Sequence, residues 1–177
     1  MKKNILFLLL GISLLCTSCI KQINKNFTGE TIVEFDATVL NSATSPYTYY
    51  VVTRIPSDGI PIPTSNAAIT RTTTTPIQLR VNLVGPQRSS DEVISYKVMT
   101  DVTPTAPNML ATAGTHFTTG NTFTIPANSS FGYVTVNIIN TGTSSTNPRE
   151  VHLELLGNDN IKPSENYKRV AIRIAQN

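Results

Sequence analysis

The chain has 177 residues, with 14 Lys and Arg against 11 Asp and Glu, two His, two Cys and no Trp. Groups that move protons near neutral pH are therefore scarce, and two cysteines are too few for a disulfide framework or a four-thiolate zinc site. The formal charge of +3 has no dense Lys/Arg stripe behind it, so nucleic acid is not an expected partner.

The N-terminus has the layout of an export signal. Lys2 and Lys3 supply positive charge, and the run from Ile5 to Leu15 is apolar apart from Gly11 and Ser13. A bilayer-spanning helix needs roughly 20 apolar residues, so this run is too short for a permanent span and reads as a removable leader. It ends in Leu15-Cys16-Thr17-Ser18-Cys19, small residues directly before a cysteine. That ending resembles the lipobox of bacterial lipoproteins, although Cys16 stands where the family usually has Leu. Cys16 itself is the poorer candidate, because Leu14 and Leu15 occupy its small-residue positions. The resemblance implies cleavage between Ser18 and Cys19 and acylation of Cys19, which anchors the protein to a membrane without spanning it; several acyl chains make such attachment durable. Without residues 1 to 18, 159 of the 177 remain, and the loss of Lys2 and Lys3 lowers the net charge from +3 to +1. With Cys16 removed and Cys19 acylated, no thiol is left for an internal disulfide, and stability must come from packing.

Residues 20 to 30 are polar with isolated apolar positions, and read as a tether. From Thr31 to Leu40, Val33, Phe35, Ala37 and Val39 alternate with Glu34, Asp36 and Thr38, the pattern of a half-buried strand. The stretch 41–76 holds Pro46, Pro56, Pro61, Pro63 and Pro76 and the run Thr72 to Thr75, so most of it is expected as loop or edge, with a short strand from Tyr47 to Arg54. The alternation then sharpens in Ile77, Leu79, Val81 and Leu83, and Gly85-Pro86 stops it. Further strands are expected around Ile94 to Val98, Thr115 to Phe117, Asn121 to Ile125 and Phe131 to Ile139. Glu150 to Leu156 and Lys168 to Ala175 form a closing pair, with Gly157 to Asn160 and Lys162 to Asn166 connecting them. Seven to nine short strands of this kind predict an all-β fold, a two-sheet β-sandwich. The expected organisation is a leader at 1–18, a lipidated cysteine and tether at 19–30, and one sandwich domain at 31–177 with a Pro/Thr-rich insertion at 41–76.

Three stretches, Ala113-Gly-Thr-His-Phe117, Asn121-Thr-Phe-Thr-Ile-Pro-Ala-Asn-Ser129 and Tyr133-Val-Thr-Val-Asn-Ile-Ile139, together resemble Calx-beta domains, and the resemblance implies an immunoglobulin-like Greek-key β-sandwich. With Asn166-Tyr-Lys168 leading into the last strand, the arrangement also resembles domains of small surface lipoproteins encoded beside TonB-dependent nutrient-uptake systems in Gram-negative bacteria. The resemblance implies a non-catalytic protein held by lipid at the outer membrane, at the cell surface or on the periplasmic face. Its partners would be a TonB-dependent transporter and that transporter's substrate-binding lipoprotein. Calcium-binding Calx-beta domains gather several carboxylates at one end, whereas here His116 replaces the usual Asp and Asp58, Asp91, Asp101 and Asp159 are isolated. A calcium site is not expected.

The cluster Pro46-Tyr-Thr-Tyr-Tyr50 offers the candidate contact residues. Tyr47 and Tyr49 share one strand face and Tyr50 takes the other. Exposed tyrosines can stack on sugars or anchor a partner protein; the alternative is packing on an edge strand. A stand-alone carbohydrate- or peptide-binding module would use these side chains, and alanine at Tyr47 and Tyr49 should then abolish binding at little cost in stability. His152, beside Glu154 on a polar strand face, is expected as a solvated cross-strand partner, and His116 as a turn-stabilising hydrogen-bonding group. There is no phosphate loop, no His-Glu-x-x-His helix and no nucleophile elbow, so no cofactor or metal is expected. A hydrolase with a carboxylate pair drawn from distant strands is the least favoured reading.

Overall fold

The computed structural model describes residues 27–37, 46–57 and 61–177. The leader, Cys19 and the last part of the first expected strand lie outside these residues. Eleven strands run in chain order: β1 Ile32–Phe35, β2 Tyr50–Val52, β3 Ile77–Val84, β4 Glu92–Val98, β5 Met109–Leu110, β6 Phe117–Thr119, β7 Thr122–Ile125, β8 Phe131–Ile138, β9 Arg149–Gly157, β10 Lys162–Pro163 and β11 Arg169–Ile174. They form two sheets, one ordered β10-β1-β3-β8-β6 and the other β2-β11-β9-β4-β7, with β5 added beside β9. The all-β sandwich expected from the alternating pattern is the fold observed. The two strands not anticipated, β5 and β10, are two residues long and pair in parallel with β9 and β1.

One hydrophobic cluster fills the space between the sheets. β3 contributes Ile77, Leu79, Val81 and Leu83, and β8 contributes Val134 and Val136. β9 adds Val151, Leu153 and Leu155, and β11 adds Val170, Ile172 and Ile174. These are the inward positions of a period-2 pattern, because successive side chains of a strand leave on opposite faces. Burying each such aliphatic side chain stabilises the fold by about 1.5–3 kcal/mol. The 41–76 stretch also reaches the core, through Val52 and the fully enclosed Ile69.

Two glycines let backbones meet where side chains could not. Gly132 sits inward in β8, and a Cβ there would stand 2.5 Å from the Thr124 carbonyl oxygen of β7, so the glycine allows the two sheets to close at this corner. Gly157 ends β9 at φ +79°, and a Cβ would fall 2.1 Å from the Ile161 carbonyl oxygen, which accepts the Asn158 N–H at 2.9 Å. That turn carries the chain from β9 into β10 and on to β11. By contrast Gly142, at φ +78°, has nothing within 4 Å of the added carbon.

Gly142→Ala is therefore expected to cost about 1–2 kcal/mol, the penalty of the left-handed conformation alone. Gly157→Ala adds a backbone collision to the same penalty and is expected to cost distinctly more. Urea denaturation midpoints of the two variants, read side by side, check the difference.

Candidate functional site

The second sheet is unusual on its outward face. β9 lies at its centre, between β11 and β4, and both of its faces are buried over most of its length. The inward face carries Val151, Leu153 and Leu155. The outward face carries Glu150, His152 and Glu154, of which the first two are 0% exposed. Antiparallel pairing sets Glu154 opposite Arg169, His152 opposite Ala171 and Glu150 opposite Arg173. Each carboxylate thus faces a guanidinium across the ladder. The small Ala171 leaves room beside the imidazole.

That room is filled by tyrosines from the other end of the sequence. β2 is the edge strand beside β11 and places Val51 against Ala171, while the residues before it lay Tyr49 and Tyr47 over β9. Their rings stack 5.3 Å apart at 21°, and each meets the His152 ring edge-on, at 4.9 Å and 5.9 Å. Tyr47 donates its hydroxyl to Glu150 Oε2 at 2.6 Å. Tyr49 Oη is 3.0 Å from His152 Nδ1. His152 Nε2 lies 3.2 Å from the same Glu150 Oε2, in contact with it but not aligned for a straight hydrogen bond. Arg173 Nε donates to Glu150 Oε1 at 2.8 Å. Four residues along from Glu150, Glu154 accepts from Arg169 Nε at 2.9 Å and pairs with Lys97 Nζ at 2.9 Å.

The electrostatics follow from these partners. Burial alone pushes the Glu150 carboxyl up, but the close His152 and the hydrogen bonds from Tyr47 and Arg173 outweigh it and hold the group at about 2, against an ordinary 4.5. Burial also raises Glu154, and Lys97 and Arg169 reverse the effect, so it too sits below its ordinary value. The Tyr47 hydroxyl is raised, first by burial and then by its bond to Glu150. It remains a donor at any ordinary pH.

These contacts revise the sequence reading in two respects. His152 is not a solvated cross-strand partner: it is fully enclosed, because Tyr47 and Tyr49 cover a strand face whose polar alternation suggested water. The tyrosines do share a face as expected, but Tyr49 is buried and Tyr47 half-buried, with both hydroxyls turned inward. Tyr50, on the other face, stacks on Tyr167 with ring centroids 6.3 Å apart. His116 follows expectation, its Nδ1 accepting the Thr112 N–H at 3.0 Å within a turn. Glu150, Arg169 and Arg173 were overlooked as a site. The signal was present, since Glu-x-His-x-Glu on one strand and Arg-x-Ala-x-Arg on its partner are complementary at period 2.

Beside the cluster, Arg173 also lines an open cavity of about 200 Å³ with Thr53, Arg54, Ala68, Ile69, Pro148 and Ala175. The cavity is built by residues 53–55 and 67–69, which pair with each other through Ile69 N–H to Thr53 O at 2.9 Å and Ile55 N–H to Ala67 O at 3.0 Å. It is concave but lacks an accessible acid-base pair, because Glu150 and His152 are sealed beneath the tyrosines.

Glu150 makes stability depend on pH. Its folded value lies below its ordinary one, so its contribution is complete above about 4.5 and is lost as pH falls towards 2. The loss is on the order of 3 kcal/mol over that window. Tyr47→Phe removes one bond to the carboxylate. It is expected to cost about 2 kcal/mol at pH 7 and to start the acid loss at higher pH, as read from urea midpoints between pH 2 and 7. Tyr49→Ala is expected to cost about 3 kcal/mol or more, rather than being neutral.

No protein-family model matches the chain, and no curated protein is similar to it. Among solved structures, the apo form of the Calx CBD1 domain is similar with a TM-score of 0.52 at 11% identity, over 84% of this chain and 99% of that one. A two-domain protein of unknown function from Bacteroides fragilis NCTC 9343 is similar with a TM-score of 0.51 at 7% identity, over 82% and 45%. A protein of unknown function from Bacteroides ovatus gives 0.50 at 12% identity, over 81% and 44%. The chain thus spans less than half the length of either Bacteroides protein. At these identities the likeness is one of fold, and the fold is that of a Calx-beta-type sandwich.

Proposed function

We propose that the chain is a non-catalytic surface lipoprotein. On this reading it is held at the outer membrane through Cys19 and serves as an accessory of a nutrient-uptake complex, contributing glycan or peptide recognition. The observation that carries the non-catalytic part is the state of Glu150 and His152. The pairing that could do acid-base chemistry is fully enclosed, and its bonds to Tyr47 and Tyr49 hold the segment before β2 against β9. A group that cannot reach substrate cannot transfer a proton to it.

What remains to act is the surface laid over that cluster. The half-buried Tyr47 and the cavity at Thr53 and Arg54 flank β2 as a strip at the edge of the second sheet, while the Tyr50–Tyr167 stack lies on the other face. Contact with a glycan or partner protein is assigned to this strip, with Tyr49 supporting it from beneath. The export signal and the Leu15-to-Cys19 ending support attachment by lipid. The proposed partners are a TonB-dependent transporter and its substrate-binding lipoprotein.

Two measurements test the reading. Metabolic labelling with palmitate should mark the full chain, and Cys19→Ala should abolish the label and move the protein out of the membrane fraction. Extraction of native outer membranes in mild detergent, followed by mass spectrometry, should recover the transporter with this chain. A soluble product with an unmodified thiol at Cys19 defeats the anchor, and an unaccompanied lipoprotein defeats the complex.

A further inference from the structure

The cavity at Arg54 and Arg173 is the feature that the tyrosine cluster leaves unexplained. Arg54 donates from Nη1 to the Asn66 carbonyl at 2.7 Å, and no carboxylate among the described residues pairs with it. Arg173 gives its Nε to Glu150, which leaves its terminal N–H groups without a bonded partner among the described residues. Two arginines therefore line one concavity, and Glu150 is the one carboxylate paired with either of them among the described residues. Each is anchored on one side, so each presents its remaining donors in a fixed direction. A fork of fixed N–H donors with uncompensated charge is suited to a carboxylate.

The rest of the lining narrows the ligand. Pro148, Ala68 and Ala175 supply apolar lining, and Thr53 borders them. A volume of about 200 Å³ admits one sugar ring and is small for a larger ligand. A peptide docking by strand addition is disfavoured at this place, because the backbone of residues 53–55 is already paired with that of 67–69. A pyranose ring can lay its C–H face on the apolar lining while its carboxylate meets the arginines.

We infer that this cavity is a recognition site for a uronate, a sugar residue carrying a carboxylate, with Arg54 as the residue that selects for the acid. The inference rests on the binding reading proposed above and names the ligand class of that same strip.

The test uses the full chain as the cell makes it, with ligand-observed NMR titrations up to about 10 mM. The probes are galacturonate and glucuronate, with galactose, glucose and N-acetylalanine as comparisons. The expected result is saturable uronate binding that weakens with added salt, and neutral sugars at least about tenfold weaker. Arg54→Ala should weaken uronate by about tenfold or more while the protein stays folded at the assay temperature, and Arg54→Lys should restore part of the loss. Absence of uronate binding, equal binding by Arg54→Ala, or N-acetylalanine binding as tightly as uronate would each overturn the assignment. The transporter capture described above reads out separately: uronate binding without a captured transporter defeats the complex, and the reverse outcome defeats only the cavity.

Discussion

A carboxylate on the outward face of a central strand, sealed from water, constrains the rest of this structure. Glu150 is 0% exposed, and leaving a buried carboxylate unpaired would cost several kcal/mol. The chain supplies it with Arg173 across the ladder, His152 two residues along and Tyr47 from 103 positions away in sequence. Only the last of these closes the arrangement. By placing a hydroxyl on Oε2, Tyr47 commits the segment before β2 to lie across β9, and Tyr49 follows it onto His152. The second sheet therefore acquires a small outer core of Tyr49, Val51 and Ala171, with Tyr47 packed against it, in addition to the core between the sheets.

This outer core shapes the surface as well. β2 pairs in parallel with β11, so it cannot be a simple hairpin partner and must be brought there by a long connection. Once it is pinned, residues 53–55 continue past the end of β2, take up residues 67–69 as a further arm, and enclose the cavity that Arg173 shares with the cluster. One guanidinium thus belongs both to the internal carboxylate and to the external concavity. The chemistry of the buried cluster is structural. The recognition chemistry proposed for the surface depends on it for position.

Where one strand face meets the core and the other meets water, the sequence was legible. β3 shows this directly: Ile77, Leu79, Val81 and Leu83 alternate as expected and face the core. β9 was placed correctly, but its outward face was misread, because Glu-x-His-x-Glu has the alternation of a solvated face. What covers it comes from a region whose prolines suggested loop. Nothing local to residues 150–154 records that two tyrosines some hundred residues earlier will lie on top. β5 and β10 escaped for a different reason, since two residues carry no period, and Pro163 suits the edge position that β10 occupies. The cavity was not legible either, because it joins residues near 54, 69, 148 and 173 that only the folded sheet brings together.

Amide hydrogen exchange on the Glu150→Gln variant, compared with the unaltered protein at pH 7, tests most directly whether the buried carboxylate pins the β2 segment. If it does, Val51 and Val52 should exchange at least about tenfold faster in the variant, while Leu79 in β3 and Val134 in β8 keep their protection. Unchanged exchange at Val51 and Val52, or a uniform loosening that reaches β3 and β8 equally, would contradict that role for Glu150.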